Sequence, residues 1–205
     1  MKDHIWYASY GSNISTERFM CYIKGGKPAG ATKTYKGCDD KTPPLAQKAM
    51  KIQHELYFAK SASVWSGGGV CFIHPDKSEK EETLGKMYLI TRQQFLDVVQ
   101  QENSAEDSIE IDFQKARHEK SLLVSENSWY GKLLFLGEKE DAPILTFTNE
   151  NFLAKEINAP NHHYLATIMK GLIETHLLNQ SQLESYFLAK KGIDKGIMEA
   201  AIKTL

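Results

Sequence analysis

No apolar run in this chain approaches the ~18 residues of a membrane helix, which excludes a helical membrane protein. Cysteine is scarce: Cys21, Cys38 and Cys71 are the whole complement, and no C-x-x-C pair occurs. That odd count argues against a disulfide framework and for a reducing, cytoplasmic setting. Excess charge is missing too: Lys+Arg 25 against Asp+Glu 26 leaves a net charge of -1, so no global basic balance favours nucleic acid. The N-terminal Met-Lys-Asp-His-Ile-Trp lacks the apolar stretch of a signal peptide, and a cytosolic protein is expected. H-E-x-x-H is absent, and the adjacent His162 and His163 would diverge by about 100° on a helix, so no metal is expected. The Gly67-Gly68-Gly69 run lacks a following Gly-Lys-Ser/Thr and precedes a strand pattern; it reads as a bulge or close backbone approach, and no nucleotide cofactor is expected.

What is there is ordinary globular material: 205 residues, 41% hydrophobic, enough for one domain with or without an appendage. Ile5 to Tyr10 reads as a strand, and Ser15-Thr16 ahead of Glu17 opens a short helix over residues 14–23. Residues 25–44, rich in Gly, Lys, Thr and Pro, read as a long loop. Further strands are expected over 54–59, from Val70 onward, and over 84–90, 108–113, 129–136 and 144–148. Thr91 caps a helix over Arg92–Gln101 with Phe95, Val98 and Val99 on its apolar face. Leu165, Ile168, Met169, Leu172 and His176 keep helical spacing, and helical segments near 181–190 and 194–204 close the chain. Strands first, with one helix between them, and helices last describe an α+β fold on a small mixed or barrel-like sheet.

Two stretches suit chemistry. Gly11-Ser12-Asn13 ends the first strand in small polar residues, and both Gly and Asn tolerate unusual backbone angles. Such a turn either joins strand to helix and nothing more, or aims successive N–H groups at a carboxylate or oxyanion. Glu102 follows the predicted helix, beside Val98 and Val99. Left in solvent it is unremarkable; partly buried, it can work as a general base near neutral pH. Cys71 lies in an apolar strand and reads as a packing thiol.

In order along the chain, four features resemble the gamma-glutamylcyclotransferase-like family. They are Tyr7-Ala8-Ser9-Tyr10-Gly11-Ser12-Asn13, Trp65-Ser66-Gly67-Gly68-Gly69-Val70, Gly85-Lys86-Met87-Tyr88 through Glu102, and Pro160-Asn161-His162-His163-Tyr164 with the helix after it. The resemblance covers about residues 5–178 and implies a cyclotransferase-like domain over 1–180, with 181–205 a helical extension packed on it. Asn103 stands where the family usually has Gly after the glutamate, and Val98-Val99-Gln100-Gln101 replaces its usual Leu-Asp.

The resemblance implies a cofactor-independent enzyme releasing 5-oxoproline from a γ-glutamyl amino acid, amine or peptide. In such enzymes the α-amine attacks its own γ-amide carbonyl, without a covalent enzyme intermediate. It makes Glu102 the general acid/base and places substrate at Tyr10, Gly11, Ser12, Asn13 and Tyr164. A small γ-glutamyl molecule is the expected partner, with neither nucleic acid nor membrane; oligomeric state stays open. Two alternatives remain at this point: a non-catalytic small-molecule binding or regulatory protein on the same scaffold, and a thiol hydrolase using Cys21 or Cys71.

Overall fold

Strand β1 (His4–Ser9) is buried on both faces, which is why it reads as a continuous apolar run instead of an alternating one. Ile5 and Tyr7 enter one apolar cluster, whereas Trp6 and Ala8 enter the other. The computed structural model describes residues 3–28, 34–103 and 109–205. After β1 come α1 (Thr16–Lys24), β2 (Ala46–Ile52), β3 (Leu56–Ala62), β4 (Gly68–Ile73), β5 (Thr83–Thr91) and α2 (Arg92–Asn103). Then follow α3 (Phe113–Glu119), β6 (Ser121–Leu123), β7 (Lys132–Lys139), β8 (Ala142–Thr148), α4 (His162–His176), α5 (Gln180–Leu188) and α6 (Lys195–Ile202).

Six strands form one mixed sheet in the order β2-β5-β1-β8-β7-β6, and β3 and β4 pair as a separate hairpin. β1 runs antiparallel to β5, with Tyr7 opposite Tyr88, and parallel to β8, with Tyr7 opposite Leu145. One face of the sheet is covered by Phe19 of α1 and Phe95, Val98 and Val99 of α2. The other is covered by the β3–β4 hairpin and α4 through Phe58, Phe72, Leu165 and Leu172. Leu183, Phe187, Met198 and Ala201 of α5 and α6 join that second cluster, so the C-terminal helices share its core.

Local chemistry explains the element ends. Ser15 Oγ accepts from Arg18 N at the start of α1, and Gly25, at φ +83, ends that helix. In α5, Asn179 and Gln182 form a capping box. The glycine run does permit close backbone approach: Cβ atoms on Gly68 and Gly69 would strike the backbones of Asn161 and Asn158. Gly69 N donates to Ala159 O at 2.8 Å there.

Three expectations need correction. The strand expected over 108–113 is not one: residues 109–112 are irregular, Phe113 starts α3, and residue 108 lies outside the described residues. Asp112 explains the helix, since its side chain accepts from the N–H groups of Gln114 and Lys115. Second, β2 forms in a stretch left unassigned, because its exposed edge carries polar residues and little apolar signal. Third, α1, α2 and α3 all fall between strands, so more than one helix interrupts the sheet. Of the loop expected over 25–44, residues 29–33 lie outside the described residues; Gly26 and Tyr35 on either side exchange backbone hydrogen bonds.

Candidate active site

The end of β1 and the end of α2 meet. Beyond β1 the chain makes a tight helical turn, Ser12–Ile14, whose first N–H groups have no carbonyl one turn back to bond. The hydroxyl of Tyr88, buried on β5, donates to the carbonyls of Asn13 (2.9 Å) and Ile14 (3.1 Å) and holds the far side of the turn. Gly171 of α4 packs so closely that a Cβ there would overlap the backbone of Ile14 and Ser15.

Asn13 Nδ2 donates to Glu102 Oε1 at 2.9 Å and lies 3.4 Å from Tyr7 Oη. Glu102, in the last turn of α2, is half-buried. Asn103 does not face outward idly: its Nδ2 donates to Val99 O (3.0 Å) and Tyr130 O (3.3 Å), tying the end of α2 to the segment before β7.

A cavity of about 570 Å³ opens at this junction. Tyr10, Gly11, Ser12, Asn13, Glu102 and Tyr164 all line it, so the residues expected for acid/base catalysis and substrate contact border one space. Their hydroxyls are not equivalent. Tyr10 Oη donates to Phe147 O at 2.7 Å, which makes Tyr10 a wall. Tyr164 Oη accepts from Cys71 N at 3.1 Å, and its ring packs 4.8 Å from that of Trp65. Burial raises the pKa of Tyr10, Tyr130 and Tyr164 well above the ordinary phenol value, so these side chains stay protonated.

Cys71 also lines the cavity. Burial pushes its thiol pKa up, and Sγ lies 3.7 Å from Tyr10 O. No cation lowers it, so the thiolate needed for a nucleophile is disfavoured near neutral pH. Cys21 is likewise shifted upward by burial and is not among the lining residues. This geometry disfavours the thiol hydrolase reading.

Arg18, Tyr22 and Tyr35 are lining residues that the sequence did not single out. Arg18 Nε donates to Ser12 Oγ (3.3 Å) and Nη2 to Tyr35 Oη (2.6 Å). Its position in the first turn of the helix directly after the Gly-Ser-Asn turn was the available signal. Tyr35 had none, standing in a loop whose path only the fold defines. Among the described residues, no group of three or more His, Cys, Asp and Glu side chains is placed to hold a metal, and no helix is long and apolar enough to cross a membrane.

No protein-family model matches the sequence. The chain is 37% identical over 211 residues to Histone deacetylase 5 of Arabidopsis thaliana, a match covering 96% of this chain and 31% of that protein. The chain thus spans about a third of that relative's length, and the relative's name describes the whole of it. A solved gamma-glutamyl cyclotransferase superposes with a TM-score of 0.52 at 16% identity, covering 98% of this chain and 99% of that one. An uncharacterised protein of Homo sapiens matches over the same shares at a TM-score of 0.50 and 16% identity. The architecture is therefore an α+β fold of the gamma-glutamylcyclotransferase-like type. That is the fold the N-terminal Tyr-Gly-Ser-Asn and its companion motifs imply.

Proposed function

We propose that the chain is a γ-glutamyl cyclotransferase that releases 5-oxoproline, with Glu102 as general acid/base. The observation that supports this reading is the 2.9 Å hydrogen bond between Asn13 Nδ2 and Glu102 Oε1, which ties the carboxylate to a side chain of the turn, with both residues lining one cavity. Glu102 takes a proton from the substrate's α-ammonium, freeing its lone pair. The amine nitrogen attacks the γ-carbonyl carbon, the carbonyl π electrons move to oxygen, and the N–H groups of Gly11, Ser12 and Asn13 face that oxyanion. The oxyanion then collapses and the γ-amide C–N bond breaks as Glu102 gives its proton to the departing nitrogen; the ring nitrogen yields its second proton to the freed Glu102 carboxylate, which passes it to the released amine. Tyr10 and Tyr164 wall the space that folds the glutamyl chain so that amine and carbonyl meet; for ring closure within one molecule this orientation is a large contribution.

The test is incubation with γ-glutamyl amino acids, γ-glutamyl amines and glutathione, followed by assay for 5-oxoproline. Glu102→Gln should lower turnover by about 10²–10⁴-fold. Product formation undiminished in that variant removes Glu102 from the mechanism, and no product from the whole panel favours the non-catalytic binding protein. The proposed partner is a small γ-glutamyl molecule, acting in the cytoplasm, on a domain of about residues 1–180 with 181–205 as its helical extension.

A further inference from the structure

Three buried polar atoms on residues of the cavity lining have no hydrogen-bond partner among the described residues: Arg18 Nη1, Asn13 Oδ1 and Asn103 Oδ1, of which the first two belong to the Ser12–Ile14 turn and the helix after it. Arg18 is only 5% exposed and Asn13 only 3%. The rest of each side chain is committed. Arg18 uses Nε on Ser12 Oγ and Nη2 on Tyr35 Oη, and its guanidinium carbon lies 5.1 Å from the Tyr35 ring centroid and 5.3 Å from that of Trp65. Asn13 directs Nδ2 at Glu102 and Tyr7. The reverse amide orientation would set Oδ1 against the carboxylate, so Oδ1 is fixed as the open acceptor.

A guanidinium does not give up its proton, and a buried cation with an open N–H edge is costly until an anion completes it. Asn13 Oδ1 is the opposite case, an acceptor awaiting a donor, and it sits on the residue that holds Glu102. An open cationic donor and an open acceptor beside a carboxylate match the head of an α-amino acid. The ammonium faces Asn13 Oδ1 and Glu102, and the carboxylate on the same carbon faces Arg18. We propose that Arg18 binds the α-carboxylate of the γ-glutamyl unit, so that the site requires substrates with that carboxylate free. This rests on the cyclotransferase reading above. It also divides labour within the turn: with the carboxylate on Arg18 Nη1, the N–H groups of Gly11, Ser12 and Asn13 remain for the oxyanion.

L-5-oxoproline keeps the α-carboxylate after ring closure, and its primary amide lacks the charge. Calorimetric titration of both into the wild-type protein should show the acid binding about tenfold tighter or more, the size of a charge-assisted hydrogen bond. Arg18→Gln should bring the two affinities together, and Arg18→Lys, which keeps charge but loses the fork, should fall between. Should Arg18→Gln not fold, the wild-type comparison and Arg18→Lys decide. Retained preference for the acid in Arg18→Gln, full preference in Arg18→Lys, or no preference in the wild type, including binding of neither ligand, overturns the assignment. Turnover separates this from the parent reading. An Arg18-dependent preference without any 5-oxoproline formation removes the cyclotransferase activity and leaves the carboxylate anchor. Equal turnover of γ-glutamyl substrates and their α-amides removes the anchor and leaves the activity.

Discussion

Asn13 and Glu102, 89 residues apart, are joined side chain to side chain at 2.9 Å. The bond fixes the orientation of the proposed base and consumes one Asn13 donor, while the Asn13 carbonyl oxygen accepts from Tyr88. Asn13→Ala should therefore lower kcat/KM by about 10–100-fold, the effect of losing a hydrogen bond to a charged group. Asn13→Asp should lower it further, since it sets two carboxylates side by side. Steady-state kinetics on one γ-glutamyl substrate check both, and an Asn13→Ala enzyme with unchanged kcat/KM would deny the residue any part in placing Glu102.

Gly171→Ala separates helix propensity from packing. Alanine favours a helix interior over glycine by about 1 kcal/mol. Here its Cβ would overlap the backbone of Ile14 and Ser15. Overpacking of this kind costs about 1–3 kcal/mol, so denaturant unfolding should show a net loss of stability and, because the turn must shift, a loss of activity with it. A stabilised variant would mean that α4 moves away from the turn without penalty.

Tyr164→Phe removes the oxygen that accepts from Cys71 N, in a site where Tyr164 is 4% exposed. A buried N–H left without a partner costs about 1–3 kcal/mol. The expected result is a lower unfolding midpoint with an unchanged denaturant slope.

Thiol alkylation should leave turnover intact. Cys38 and Cys71 are buried, and burial raises the pKa of both, that of Cys38 to about 12. Cys21, partly exposed and away from the cavity lining, is the thiol that should react with iodoacetamide. Mass spectrometry locates the adduct; because a Cys71 adduct would block the cavity it lines, Cys71→Ala is the control, and a Cys71→Ala variant without turnover would restore the nucleophilic thiol.

His54 should make the protein sensitive to acid. Its Nδ1 lies 2.7 Å from His74 O, and burial is the main reason its pKa sits below the usual 6.5, with His74, Asp76 and Lys77 acting on it as well. The unfolded chain binds a proton near pH 6.5 and the folded one resists it, so the stability contribution is complete above that pH and is lost as pH falls below it. Thermal melting from pH 8 to pH 5 should show a fall in Tm that flattens in His54→Gln. Equal slopes in the two proteins would exclude His54 as the source.

Much of this architecture is legible in one dimension. The α4 pattern of Leu165, Ile168, Met169 and Leu172 predicts its buried face, and each of these residues is buried. The β1 and β5 patterns are as clear, because both strands lie inside the sheet and carry strong apolar signal. β2 was missed for the opposite reason: an edge strand with exposed polar residues has little periodicity to read. α3 was missed because Ile109 and Ile111 imitate a strand while the cap at Asp112 begins a helix.

The residues proposed for the site stand far apart in sequence, and the chain names Gly11-Ser12-Asn13 and Glu102 without relating them. Local sequence determined that β1 ends in a small polar turn and that a carboxylate stands near the end of α2, which runs on to Asn103 instead of stopping at Gln101, since capping and periodicity act over a few residues. Only the tertiary structure decided that both ends face one cavity, that Cys71 is a buried wall instead of a nucleophile, and that Tyr35 reaches Arg18. Those relations depend on desolvation and on contacts between distant segments. Neither is set until β1, β5 and β8 align and the helices close over them.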